Sequence, residues 1–447
     1  MLLRKITSYI ENYYDTNRNA LLLTGARQTG KTYSIRQFGK KWQSFVEINF
    51  IEHPEAIELF TKAQGASDIL FRISALTSKQ LIPGKTLIFF DEVQECPEIV
   101  TAIKFLVDEG SYRYIMSGSL LGVELKDMRS EPVGYMGVKE MYPLDFEEFA
   151  RNLGVHTSTI SRLKELWLER KEVDEVVHNK MIELFRLYLV VGGMPAAVDK
   201  YLNTNNLQEV VAAQADIVAL YRRDISKYAE KDKLAIKEIF DMIPSELDAK
   251  NKRFILKSLN QHAKFERYKD SFLWLKDAGV AIPVYNVSEL KMPLKLAEQR
   301  NLFKLFSNDV GLLAQQYADG IQLKIINGDK DINFGAIYEN AVAQELTAHG
   351  FSGYYYNSKK VGEIDFVISQ NSRVVPIEVK SGKDYDTHRA LNNVISSDNS
   401  DIEEAIVFSN LNISVNGHIL YAPIYMIMFI ERSNTLPENY KIDLSGL

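Results

Sequence analysis

The chain has 447 residues, of which 46% are hydrophobic and 25% charged, and its net charge is −6. That length suits about two to four domains with ample core, and the composition is globular rather than disordered or fibrous. The acidic balance excludes a global basic field for nucleic acid or an anionic membrane, and the single cysteine, Cys96, excludes an internal disulfide.

The N-terminal Met1-Leu2-Leu3-Arg4-Lys5 has no apolar run of signal-peptide length. The longest apolar stretch, near residues 419–430, is too short and too rich in tyrosine to span a bilayer. The expectation is a cytoplasmic protein without membrane insertion. Residues 2–14 have helical periodicity and lead into an apolar strand, Leu21-Leu22-Leu23. There follows Gly25-Ala26-Arg27-Gln28-Thr29-Gly30-Lys31-Thr32, a complete G-x-x-x-x-G-K-[ST] phosphate-binding loop between a strand and a helix. Gly25 and Gly30 allow the backbone angles that aim amide N–H groups at phosphate oxygens. Lys31 is expected to reach the β- and γ-phosphates, Thr32 to ligate Mg2+, and the following helix to present its positive dipole end to the anion.

Phe45–Phe50 reads as a second strand, and Thr86-Leu87-Ile88-Phe89-Phe90-Asp91-Glu92 as a third, apolar and ending in two acids. This is the form of a Walker B segment, with Asp91 expected in the Mg2+ shell and Glu92 expected to polarise the attacking water. A fourth strand, 112–116, ends in Ser117-Gly118-Ser119, where Ser117 or Ser119 is the candidate sensor of the γ-phosphate. Repeated β–α spacing predicts a parallel, doubly wound sheet. The strand between the loop and Walker B, with the second acid, favours the AAA-type branch of phosphate-loop proteins. No N-K-x-D signature for guanine is present, so ATP is the expected nucleotide. Tyr142–Phe149 marks the edge of this domain, a proline turn opening a helix.

Residues 160–225 are helical in pattern, broken at Val191-Gly192-Gly193-Met194-Pro195. Arg222 or Arg223, near their end, is either an arginine finger or a partner of Asp224 on a solvated helix. Helices over 234–247, 254–262 and 265–278, then a strand over 280–287, follow the layout of a winged-helix domain, with Gly279 as C-cap. Residues 250–304 carry 12 Lys/Arg against 5 Asp/Glu. If the segment reads DNA, helix 265–278 is the groove helix, although Phe272, Trp274 and Leu275 point to a core-facing side.

Residues 331–349 predict a helix containing Glu339, followed by a hairpin of strands 362–368 and 374–380. Alternation puts Glu378 and Lys380 on one face, and the hairpin brings Asp365 beside them. Two carboxylates and a lysine are costly to bury without a ligand. Asp365, Glu378 and Glu339 are the expected Mg2+ ligands, with Lys380 steadying the attacking water or the phosphorane charge. The D…E-x-K spacing resembles the restriction-endonuclease-like nuclease core, although Ile364 stands where a proline commonly precedes the aspartate.

Taken together, the chain resembles a prokaryotic AAA-superfamily ATPase family with a C-terminal domain of unknown function that has a restriction-endonuclease-like, PD-(D/E)XK-type fold. The matching segments are 24–32, 90–94, 117–119, 142–149, 192–195, 362–366 and 377–382. The resemblance implies ATP binding and hydrolysis but supplies no agreed substrate. Many members carry a basic residue where this chain has Tyr135. The expected fold is multidomain α/β. An AAA-type ATPase domain occupies 1–160, a helical domain 161–230, a winged-helix-like domain 231–315 and a nuclease-like α/β domain 320–447. Two functions remain open: an ATP-regulated enzyme that cleaves nucleic acid, and an ATP-dependent switch whose C-terminal domain binds DNA or protein without cleavage. A homo-oligomer, ring or dimer, is compatible with either.

Overall fold

The computed structural model describes residues 2–119, 134–229, 232–261, 264–317, 320–329, 334–382, 388–396 and 402–432. The chain forms two compact units, each assembled from separate stretches. The first comprises Met1–Ile160, Glu183–Pro283 and Leu305–Asp329, and the second Ser161–Ile182, Val284–Lys304 and Lys330–Leu447. No helix among the described residues is long and apolar enough to cross a membrane.

The first unit is built on a five-stranded sheet. Its strands are β1 (Ala20–Thr24), β2 (Ser44–Asn49), β3 (Thr86–Asp91), β4 (Arg113–Ser117) and β5 (Met136–Glu140), in the order β2-β3-β4-β1-β5. Every pairing is parallel. Because both faces are covered, the central strands are apolar throughout rather than alternating. In β1, Leu22 joins the core on one face while Leu21 and Leu23 join the core on the other; in β3, Ile88 and Phe90 divide from Leu87 and Phe89 in the same way. The strand carrying the loop and the strand carrying Asp91 are not neighbours, since β4 lies between them and delivers Ser117 to the same sheet edge. At the domain edge Asp145 caps the helix Phe146–Asn152 in a full capping box with Glu148.

The expected helical stretch consists of Thr157–Glu169, Glu175–Val191, Pro195–Thr204 and Leu207–Tyr228, with the break at Gly192 and Gly193 as the sequence indicates. Gly192 has φ +71, and a Cβ on Gly193 would lie 2.0 Å from the carbonyl oxygen of Leu144, so the close approach needs glycine.

The winged-helix layout differs from expectation in two places. Lys233–Asp248 and Phe265–Asp277 are helices, but between them the described residues hold only a 3-10 turn, Leu256–Ser258, and His262 lies outside the described residues. The polar run Lys257-Ser258-Leu259-Asn260 offers too few apolar positions to pin a helix face. The strands that would make a wing, β6 (Ala281–Val287) and β7 (Glu298–Ser307), instead extend a larger sheet.

That sheet is mixed and eight-stranded. Its remaining strands are β8 (Tyr354–Ser358), β9 (Gly362–Gln370), β10 (Arg373–Val379), β11 (Ala405–Ser409), β12 (Ser414–Asn416) and β13 (Ile419–Pro423). The order is β12-β13-β11-β10-β9-β8-β6-β7. β6 runs parallel to β8, with Tyr285 opposite Tyr354, and its Val287 shares a core with Tyr354, Ile364 and Val367. The hairpin of β9 and β10 pairs Phe366 with Ile377, which sets Asp365 next to Glu378. Gly335–Ala348 is the helix that carries Glu339.

Candidate functional site

The loop after β1 is fixed by backbone angles that few side chains tolerate. Gly25 has φ +124, and a Cβ there would come within 2.3 Å of the carbonyl oxygen of Met141; Gly30 has φ +94. Thr29 is buried, and its hydroxyl donates to the carbonyl of Ala26 at 3.0 Å. Arg4 braces the turn from outside, donating to Thr29 O and Tyr142 O at 2.8 Å each and pairing with Glu148 at 3.1 Å. The helix Lys31–Gly39 begins directly at the lysine.

Lys31 is 8% exposed, and its ammonium donates to the carbonyls of Gly25 at 2.9 Å and Ala26 at 2.8 Å. Burial pulls its pKa down to about 8, against the opposing pull of Glu92 and Asp91. The Thr32 hydroxyl lies 3.1 and 3.2 Å from the two oxygens of Asp91. Ser117 donates to the same carboxylate, as do Asn49 at 3.1 Å and the Glu92 amide at 3.1 Å. Burial raises the Asp91 pKa, and the bond from Ser117 opposes that rise. Of the two serines, Ser117 therefore stands on Asp91, whereas Ser119 stands on Glu92, with its Oγ 3.4 Å from Oε2.

Glu92 is a non-glycine residue at φ 56, a left-handed conformation that stores strain. Its carboxylate accepts from Gln94 Nε2 at 2.5 Å, and Gln94 Oε1 accepts the Ser119 amide at 3.3 Å. Arg27 continues the chain, with Nε 3.3 Å from Ser119 Oγ and Nη1 2.9 Å from Asp224 Oδ1 on the helix Leu207–Tyr228. Tyr221, from the same helix, donates to the carbonyl of Arg27 at 3.2 Å. Asp224 thus pairs with the loop, and Arg222 pairs with Asp241 at 2.7 Å on the exposed surface. Gln94 is a member of this network that the sequence reading did not single out, its spacing two residues after Glu92 being the available signal, and Asp224, expected to partner Arg222 or Arg223, pairs with Arg27. Tyr135 lies at the other end of the sheet. It precedes Met136, which sits opposite Ala20, so about five strand residues, or roughly 17 Å, separate it from the loop.

These groups fit a magnesium nucleotide. Thr32 and Asp91 form a hydroxyl–carboxylate pair suited to Mg2+, the loop from Gly25 to Lys31 forms an anion cradle, and Lys31 holds only backbone carbonyls that a phosphate can replace.

In the second unit the structure brings together all four residues expected there. Asp365 and Glu378 are adjacent across the hairpin, and Asp365 Oδ2 accepts the Val379 amide at 2.9 Å. Glu378 is buried, with its pKa held well above the usual range by that burial and by Asp365. Lys380 approaches Glu378 at 3.5 Å, and Glu339 is 2% exposed on its helix.

A fifth residue changes the character of the cluster. Lys304, on β7, is fully buried, and its ammonium lies 2.8 Å from Glu363, 3.2 Å from Glu339 and 3.9 Å from Asp365. Burial alone would lower its pKa, but Glu339, Asp365 and Glu363 outweigh that and hold it above the ordinary lysine value. The sequence reading missed both Lys304 and Glu363. Lys304 was visible as a lone charge inside Leu302-Phe303-Lys304-Leu305-Phe306, and Glu363 as the residue two before Asp365 on one strand face. The expected Mg2+ set of Glu339, Asp365 and Glu378 does not close on a common point. Among the described residues no three His, Cys, Asp or Glu side chains converge as metal ligands, and Glu339 and Asp365 face the lysine instead.

In comparison with known proteins, residues 17–150 match a family described as an AAA domain. Residues 182–322 and 334–425 match two different domains of unknown function. A UPF0102 protein of Aliarcobacter butzleri is 43% identical over 69 residues, which cover 14% of this chain and 61% of that protein, so the chain spans somewhat under two thirds of that relative's length. Among solved structures, a Walker-type ATPase of Pyrococcus abyssi aligns at TM-score 0.42 and 14% identity over 71% of this chain and 96% of that one. The Thermotoga maritima RuvB Holliday junction branch migration motor gives 0.31 and 12% over 68% and 92%, and the Aeropyrum pernix ORC1 protein in complex with DNA gives 0.27 and 12% over 73% and 91%. At such TM-scores none of the three defines the overall architecture.

Proposed function

We propose that the chain is an ATP-dependent molecular switch or motor whose AAA domain binds Mg-ATP and hydrolyses it. The observation that carries this reading is the triad of Thr32, Asp91 and Ser117 beside the Gly25–Lys31 loop, three groups from a helix start and two strands meeting at one sheet edge. The amides of residues 25–32 would hold the phosphates, with Ala26, Arg27, Gln28 and Thr29 contributing backbone rather than side chain. Lys31 would exchange the carbonyls of Gly25 and Ala26 for phosphate oxygens, gaining charged acceptors where it now has neutral ones. Thr32 and Asp91 would hold Mg2+, which would supply charge neutralisation to the phosphates. Glu92 would leave Gln94 and Ser119 to orient and polarise the attacking water. Replacing Asp91 by Asn tests the reading: phosphate release in Mg-ATP should fall at least tenfold, and wild-type turnover in that variant would refute the metal assignment.

For the second unit, we favour a nuclease-like domain that binds nucleic acid without cleaving it over a metal-dependent nuclease built on Asp365, Glu378 and Lys380. The supporting observation is the Lys304 ammonium among the carboxylates that would serve as metal ligands. Eight of the twelve Lys and Arg of residues 250–304 lie in the first unit, so that local excess supports nucleic acid as a partner of the chain rather than of the second unit alone. A gel-shift assay across a salt series, run beside a cleavage assay in Mg2+ and Mn2+, tests both halves. Salt-dependent binding with intact product fits this reading. Cleavage lost in Asp365→Ala would restore the nuclease.

A further inference from the structure

We infer that Lys304 is the resident cation of the second unit's carboxylate cluster, and that its ammonium excludes a divalent metal from Asp365 and Glu339. The inference rests on the non-cleaving reading of that unit and gives it a physical cause.

The cluster gathers four carboxylates, Glu339, Glu363, Asp365 and Glu378, from one helix and two strands. Such a group is costly to bury without a compensating cation. Here the compensation is covalently tethered. Lys304 reaches in from β7 with no exposed surface and contacts three of the four, while Lys380 approaches the fourth.

Both oxygens of Glu363 and of Asp365 already have partners. Glu363 Oε1 faces Lys304, and its Oε2 accepts from Asn357 Nδ2 at 2.5 Å. Asn357 is itself fixed, since its amide donates to Asn286 Oδ1 at 2.8 Å, and Asn286 donates to Gln299 at 2.6 Å. Asp365 presents Oδ1 to Lys304 and Oδ2 to the Val379 amide at 2.9 Å. Mg2+ requires near-octahedral oxygen ligands at about 2.1 Å and surrenders its waters reluctantly. To bind here it would have to share carboxylates with an ammonium that is tethered to β7 and fully buried. The Tyr355 ring, 5.3 Å from the ammonium, closes another side of the pocket.

The test is Mn2+ binding to the full chain, without nucleotide, read by loss of the free-ion electron paramagnetic resonance signal. All proteins carry Asp91→Asn to remove the metal ligand of the first unit. Expected is no bound Mn2+ at millimolar concentration, and no difference when Asp365→Asn is added. Adding Lys304→Met should create one Mn2+ site, which Asp365→Asn then abolishes. Bound Mn2+ in the protein that retains Lys304, lost with Asp365→Asn, overturns the inference. So does a folded Lys304→Met protein that gains no site. If Lys304→Met does not fold, the comparison with and without Asp365→Asn decides alone. Nucleotide hydrolysis by the otherwise unaltered chain, and the cleavage assay, report on the proposed function separately, so its failure is distinguishable from failure here.

Discussion

The phosphate loop and the carboxylate cluster each place a buried lysine beside acids at strand ends, but they hold it in opposite ways. Lys31 touches only backbone carbonyls, and burial draws its pKa down to about 8. Lys304 touches carboxylates directly, and they raise its pKa despite complete burial. The first ammonium sits in a neutral cradle and gains when an anion arrives; the second already has its anions. Burial does not by itself make a lysine functional, because what matters is whether its counter-charge is already present.

The largest expected effect concerns turnover at the first site. Glu92→Gln should bind ATP with affinity near wild type and hydrolyse it about 10²- to 10⁴-fold more slowly, since the amide cannot accept a proton from water. Single-turnover phosphate release beside a nucleotide-binding titration separates the two quantities. Hydrolysis at the wild-type rate would remove Glu92 from its role and weaken the contrast between a working site and a neutralised one.

The same substitution at the two lysines bears on the contrast directly. Lys304→Met should destabilise the protein by about 3–5 kcal/mol, because it leaves Glu339, Glu363 and Asp365 without their cation. Adding Glu339→Gln should recover part of that loss. Lys31→Met should leave stability unchanged or raise it by up to about 3 kcal/mol, since a pKa of about 8 against 10.5 means the folded state disfavours the charged form. It should also weaken ATP binding by about 10- to 100-fold through lost charge-assisted bonds. Denaturant midpoints followed by fluorescence, with ATP titrations on the same samples, measure both. Equal destabilisation at the two positions would erase the distinction.

The first site was legible in the sequence because its chemistry is local. Gly25 to Thr32 is one uninterrupted segment, and Asp91 and Glu92 close a run of apolar residues that only a buried parallel strand explains. The hairpin bearing Asp365 and Glu378 was legible for the same reason, since alternation and a short turn fix its register. Lys304 was not, because it reaches Glu339 and Glu363 across 35 and 59 residues of chain, and no periodicity encodes which distant strand will lie alongside. The strands over 281–307 misled in a related way: a hairpin after a helix looks like a wing until Val287 is found in the core of a larger sheet. Asp224 was read with its sequence neighbours, and its partner is Arg27, far upstream.

The pH dependence of nucleotide binding offers a smaller effect that sharpens the same contrast. Free protein loses the Lys31 proton above about pH 8, whereas phosphate contact holds that proton to higher pH. Above pH 8 the complex therefore binds more protons than the free protein, and affinity should fall by up to about tenfold per pH unit. Calorimetry in buffers of different ionisation enthalpy should show proton uptake on binding at pH 9. Folding stability carries the opposite slope: between about pH 8 and 10.5 the unfolded chain binds the extra proton, so the Lys31 contribution to stability rises with pH. Lys304 has its folded pKa above the unfolded 10.5, so its stabilisation is fully present below 10.5 and is lost only at higher pH. A pH-independent affinity between 8 and 9.5 would place the Lys31 ammonium in a better-compensated setting than its backbone partners provide.

The smallest expected effect concerns whether the first site needs a further cation beyond Lys31 and Arg27. Arg222 is the residue to change. Its guanidinium pairs with Asp241 at 2.7 Å, with both side chains about 40% exposed, so Arg222→Ala should alter stability by no more than about 0.5 kcal/mol. In the loop itself Arg27 already bridges Ser119 and Asp224, which gives the nucleotide site a guanidinium without recruiting one from the surface. Steady-state hydrolysis by Arg222→Ala should therefore stay within twofold of wild type. A tenfold fall in kcat with unchanged ATP affinity would mean that Arg222 reaches a transferring phosphate. Mixing that variant with Lys31→Ala protein would then show by complementation whether it does so in a second copy of the chain, because each protein would supply the part the other lacks.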